Sequence, residues 1–151
     1  MSDPDPKRVA RLIASSCVAL RVRRLGRVVT RIYDGALAPH GINIAQLNLL
    51  AAVSIAAGAR QVDLGRILDV EKSTLSREVE LMKRDGWLKS EPPTGGRNQT
   101  IRVSPEGLKL LGKAQPSWQE AQAEAKLLIG DDGEAALRQM APRLGFGKPA
   151  S

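Results

Sequence analysis

A chain of 151 residues has the length of one ordinary domain, so a second function would have to share surface with the first. Apolar residues make up 42% of it but aromatic ones only 3%, so the core must be built from Leu, Val, Ile and Ala, a composition suited to packed helices. Lys and Arg outnumber Asp and Glu by 23 to 16, a net charge of +7, which favours a polyanionic partner, either nucleic acid or an anionic membrane.

The start Met1-Ser2-Asp3-Pro4-Asp5-Pro6 carries neither a long apolar run nor a lipidation signal, so the expectation is a cytoplasmic protein with no membrane partner. Apolar residues Val18, Val22, Leu25, Val29, Ile32 and Ala36 then recur at helical steps until Pro39 and Gly41, predicting a long first helix. Arg24, Arg27 and Arg31 share another face of it and read as a solvated stripe. Asn43 followed by Gln46 has the form of a capping box that starts a second helix. From Ile44 to Gly58 this helix is apolar nearly all round, which marks it as internal scaffold.

Val62 to Val70 reads as a short third helix with Leu64, Ile67 and Leu68 on one face, ending at Asp69, a residue that tolerates a left-handed turn. From Lys72, Leu75, Val79 and Met82 repeat at helical spacing until Asp85-Gly86 closes the segment. Leu88 to Glu91 and Thr100 to Val103 read as paired strands around the turn-forming Pro92-Pro93-Thr94-Gly95-Gly96-Arg97-Asn98. Ser104-Pro105-Glu106 begins another long helix, with a bend expected at Pro116, an end at Gly130 and a last short helix capped by Asp131. The fold class predicted is mainly α with a small β-hairpin.

Two short helices around a tight turn, followed by a basic-tipped hairpin, can place one helix in a major groove and a loop against the neighbouring minor groove. At ~100° per residue, the face opposite Leu75, Val79 and Met82 holds Ser73, Arg77, Glu80 and Arg84, with Ser76 on its flank. Arginine can donate two hydrogen bonds to a guanine edge, and small hydroxyls reach bases or phosphates without blocking entry. Arg77 is therefore the main candidate for base reading, and Lys72, Ser73, Thr74, Ser76 and Arg84 complete the helical contact set. Glu80, four residues before Arg84, is read as an ion-pair partner that steadies it. Arg97, beside the loop glycines Gly95 and Gly96, is the candidate for a narrow minor groove, where negative potential concentrates.

Leu64-Gly65, Ser73-Thr74-Leu75-Ser76-Arg77, Gly86-Trp87-Leu88 and Val103-Ser104-Pro105-Glu106-Gly107, in this order and spacing, together resemble the multiple-antibiotic-resistance regulator (MarR) family of bacterial winged helix-turn-helix proteins. The stretches Val29-Thr30 to Tyr33-Asp34 and Pro39-His40-Gly41-Ile42 extend the resemblance over nearly the whole chain. It implies one domain, with dimerisation helices over 7–42 and 104–145 and a DNA-binding lobe over 43–103. It also implies a homodimer on an inverted-repeat operator in double-stranded DNA, and repression relieved by a small, aromatic or phenolic effector. Two departures stand out: the loop keeps only one arginine and lacks the family's aspartate, and Glu71 stands where a capping serine is common.

The resemblance also places Arg31, Tyr33 and His40 near an effector pocket. Cys17 raises the alternative of a redox-sensing repressor, since peroxide-responsive relatives sense oxidants with a cysteine near this position, although Arg21 stands where they keep a tyrosine. An architectural or non-specific nucleic-acid binder is the other alternative, and it would need no outward base-reading face. The lone Cys17 excludes an internal disulfide, and one His40 without a cysteine nearby excludes the usual zinc spacings, so no metal or cofactor is predicted. With no phosphate-cradling motif and no acid/base dyad, no catalytic residue is predicted and the chain is not expected to be an enzyme.

Overall fold

The computed structural model describes residues 4–91 and 99–144. The elements run α1 (Pro6–Ser16), α2 (Val18–Leu37), α3 (Ile44–Ile55), β1 (Ala59–Arg60), α4 (Gln61–Leu68), α5 (Lys72–Arg84), β2 (Leu88–Glu91), β3 (Thr100–Val103) and α6 (Pro105–Met140), with short 3-10 turns at Ala38–His40 and Ala141–Leu144. Among the described residues, no single helix is long and apolar enough to cross a membrane.

The start of the chain differs from the sequence expectation. The helix expected from Val18 is present as α2, and a further helix, α1, precedes it, set off by Cys17 with its extended ψ of 113°. Helix α1 is capped by the Asp5 side chain on the Lys7 amide, with Pro6 in its first turn. The second helix of the sequence reading, α3, opens with the expected reciprocal capping box of Asn43 and Gln46. It stops at Ile55 rather than Gly58, since Ala57 (φ 51°) and Gly58 (φ 113°) turn the chain into β1, a two-residue strand that periodicity could not reveal.

The three strands form an antiparallel sheet in the order β1-β3-β2, with Leu88 opposite Val103 and Ala59 opposite Ile101. Arg102 braces its base, donating to the Glu91 carboxylate across the ladder and to the Ala57 carbonyl in the α3–β1 turn. One continuous core joins Leu37 of α2, Leu47, Leu49, Leu50 and Val53 of α3, Leu64 of α4, Leu75, Val79 and Met82 of α5, Leu88 and Ile101 of the sheet, and Ala114 of α6.

Polar contacts tie the long helices to the lobe and to each other. The Asp34 carboxylate of α2 accepts from the Ile44 amide at 2.8 Å, capping α3 from outside. Tyr33 donates to the Gln122 side-chain carbonyl of α6, and the His40 Nε2 pairs with the Ser117 hydroxyl at 2.9 Å. At the start of α6, Ser104 accepts from the Gly107 amide at 3.0 Å and donates to the Gly86 carbonyl. Helical geometry continues through Pro116, and the backbone breaks at Gly130 (φ 73°, ψ 167°) instead. Pro116 is exposed and its i−4 residue is the exposed Gly112, so the proline ring meets the most yielding backbone available and the freed carbonyl faces water.

Two expected outcomes test this frame. A β-carbon on Gly107 would lie 2.3 Å from the Trp87 carbonyl oxygen and 2.7 Å from Val103 Cγ1, so Gly107→Ala should destabilise the fold by about 1–3 kcal/mol. The urea midpoint reads this directly, and an unshifted midpoint would show that the contact does not exist. Burial raises the ionisation of Tyr33 above the ordinary phenol value. Because Tyr33 is the only tyrosine, its phenolate absorbance should appear at higher pH in the folded chain than in denaturant. The unfolded chain then ionises first, so stability should fall as pH rises through the unfolded value near ~10.

Candidate nucleic-acid interface

The geometry of the outward helix begins beneath it. Asp69 takes the left-handed conformation (φ 51°) at the end of α4, and the Val70 amide returns to the Gly65 carbonyl at 3.0 Å, making a turn of three residues before α5. Gly65 permits the close approach: a β-carbon there would stand 3.3 Å from the Val70 carbonyl and 3.6 Å from the Leu75 side chain. Burial of Leu75, Val79 and Met82 then decides which side of α5 faces out.

That outward side carries the residues expected from spacing. Lys72, Ser73, Thr74, Arg77, Glu80 and Arg84 are all exposed. Ser76 is half-buried on the flank facing α4, where its hydroxyl accepts from Gln61 Nε2. Glu71 stands at the N-cap without a side-chain bond to the helix, as befits a residue whose longer side chain caps less well than serine. One expectation is corrected. Glu80 pairs with Lys83 at 3.1 Å rather than with Arg84, since the i,i+3 lysine reaches it first.

Between α4, α5 and the sheet lies an open concavity of about 830 Å³, walled by Arg60, Arg66, Lys72 and Lys83 against Asp69 and Glu80. Arg60 forks onto Asp63 at 2.8 and 3.1 Å, and this hydrogen bond holds Asp63 below the ordinary carboxylate range and raises Arg60. Arg66, Lys83 and Gln61 line this concavity but are missing from the contact set expected on sequence grounds, as is Gln46, which reaches α5 at Glu78 from α3. Arg66 was findable: two residues after the buried Leu64, it falls about 200° round α4 and therefore outward. The glutamines act across 15 and 32 residues, and no local pattern announces such a pairing. Arg97, the minor-groove candidate, lies outside the described residues.

The three residues assigned to an effector pocket do not converge. Tyr33 and His40 are engaged with Gln122 and Ser117 of α6. Arg31, two residues from Tyr33 and so on the other side of α2, is exposed and lines a separate groove of about 460 Å³ with Val28, Gly35, Glu120 and Glu124. Cys17 is a half-buried free thiol at the α1–α2 joint.

Comparison with known proteins gives this geometry a context. The chain matches no curated protein. The model of the MarR family matches residues 40–97, which span α3 to the sheet. Among solved structures, a mutant of E. coli MarR complexed with operator DNA is 19% identical, with a TM-score of 0.78 over 88% of this chain and 96% of that one, which shows a shared fold. The transcriptional regulator MosR of M. tuberculosis, in complex with DNA, is 32% identical, with a TM-score of 0.75 over 86% of this chain and 94% of that one. A second MosR structure is 30% identical, with a TM-score of 0.73 over 86% and 93%. Identity of this level along nearly the full length of MosR, joined to the winged lobe described above, makes this chain a member of the MarR family of transcriptional regulators.

Proposed function

We propose that the chain is a homodimeric regulator that reads an inverted-repeat operator in double-stranded DNA through α5 and represses by occupying it. The observation that carries this reading is the division of α5 into a buried apolar face and an exposed face bearing Ser73, Thr74, Arg77 and Arg84. Arg77 projects from the middle of the exposed face, where a guanidinium can fork onto a guanine edge. Lys72, Arg66 and the outer end of α5 supply positive charge where phosphates would flank such a contact. The DNA-bound state of MosR, the relative at 32% identity, supports the same partner for this chain.

The dimer rests on unburied apolar surface. Leu12, Ile13, Val18 and Val22 of α1 and α2, and Leu127 and Leu128 of α6, are each more than half exposed in the single chain. Apolar surface of this extent is ordinarily covered by a partner, and a second copy using the same helices would cover it on both subunits at once. Pairing of this kind sets two α5 helices about one DNA turn apart.

Selection of duplexes from a random pool should enrich an inverted repeat, and the purified chain should sediment as a dimer. Arg77→Ala should weaken operator binding by about 1–3 kcal/mol for each guanine edge it no longer reaches, and flatten one position in each half-site. Arg84→Ala should weaken binding to every sequence and make the salt dependence shallower by about one phosphate contact per subunit. An unchanged selection profile for Arg77→Ala would remove that residue from base reading.

A further inference from the structure

The buried face of α5 fixes which side of the helix turns inward but not its fine roll, the last ~20° about its own axis. Its three core side chains, Leu75, Val79 and Met82, make non-directional contacts, and Glu71 places no side-chain bond on its N-terminus. Roll matters for reading. At about 6 Å from a helix axis, a roll of about 20° carries a side-chain tip about 2 Å sideways, more than a hydrogen bond tolerates.

Among the described residues, two side-chain hydrogen bonds join α5 to neighbouring helices, and both come from glutamine amides. Gln61, the first residue of α4, donates to the Ser76 hydroxyl. Gln46, in the first turn of α3, donates from Nε2 to the Glu78 carboxylate at 3.2 Å. Measured from Leu75 at ~100° per residue, Ser76 lies about 100° to one side and Glu78 about 60° to the other. The two bonds therefore grip α5 at both borders between its buried and exposed faces, and Arg77 stands between their attachment points on the outward side.

We infer that Gln46 and Gln61 are positioning residues that set the roll of α5 and so determine sequence preference, an inference that rests on the DNA-reading role of that helix. The Gln46 amide is used at both ends. Its oxygen accepts from the Asn43 amide in the capping box at 3.2 Å, while its nitrogen holds Glu78. A carboxylate at this position would cap α3 equally well but would face the Glu78 carboxylate. Gln46→Glu thus separates the cap from the grip, and adding Glu78→Gln returns a donor to the pair with the net charge of the wild type.

The test measures the ratio of affinities for the selected operator and a scrambled duplex, so that effects of charge on general DNA affinity cancel, alongside thermal melts of each variant. Gln46→Glu should melt near the wild type yet lower the ratio about tenfold, on the order of one base-edge interaction. The double variant should recover it. Gln61→Met, which keeps the reach but not the donor, should lower the ratio likewise. A wild-type chain with no preference at all would sink the DNA reading and the roll with it. A wild-type preference that either single variant leaves intact, or that the double variant fails to restore, overturns the positioning role alone.

Discussion

Everything outward on α5 depends on what is inward. Leu75, Val79 and Met82 are each no more than 2% exposed, and burying side chains of this size is worth about 1.5–3 kcal/mol apiece. No rotation of the helix that presented another face to the core would keep that gain. The polar face is thus selected by exclusion. With only three buried apolar anchors, this helix is seated as well by the adjoining turn, with its left-handed Asp69 and close-packed Gly65, and by the glutamine bonds to Ser76 and Glu78.

The two regions of the chain meet the demand to bury apolar surface in different ways. The lobe from α3 to β3 folds its apolar residues onto one another around a single core. Helices α1, α2 and α6 instead leave much of theirs outside, with Leu127 at 86% exposed. The difference follows from shape: long helices joined side by side enclose only one seam, and their outer seams need another surface. Between the regions a directional bond runs beside the core packing, from Asp34 to the start of α3, while Tyr33 with Gln122 and His40 with Ser117 tie α2 and the turn after it to α6.

What could be read from sequence was whatever is local. The Asn43–Gln46 box, the left-handed Asp69, the strand limits Leu88–Glu91 and Thr100–Val103, the Ser104 cap and the break at Gly130 are each written in a few adjacent residues. The exposed face of α5 followed from periodicity. Strand β1 was invisible because two residues have no period and its partner, β3, lies some forty positions on. Helix α1 went unresolved because the apolar repeat was followed only from Val18, whereas Pro6 is a first-turn residue of an earlier helix. Arg31 lies apart from Tyr33 in the single chain for a simple angular reason, since residues two apart on a helix point nearly opposite ways. The glutamine bonds to Ser76 and Glu78 exist only once three helices have been brought together.

The Ser104–Gly107 joint has a mechanical meaning. With the Trp87 carbonyl seated where a side chain at position 107 would otherwise be, the base of the sheet and the first turns of α6 are in rigid contact. From there to the break at Gly130 the helix runs unbroken for roughly 35 Å. Such a span works as a lever arm: a tilt of about 5° at its far end, where α6 leaves helical geometry, arrives at the lobe as a displacement of about 3 Å. Spacing between two lobes would then be governed far from either of them, by the angle at which paired long helices cross.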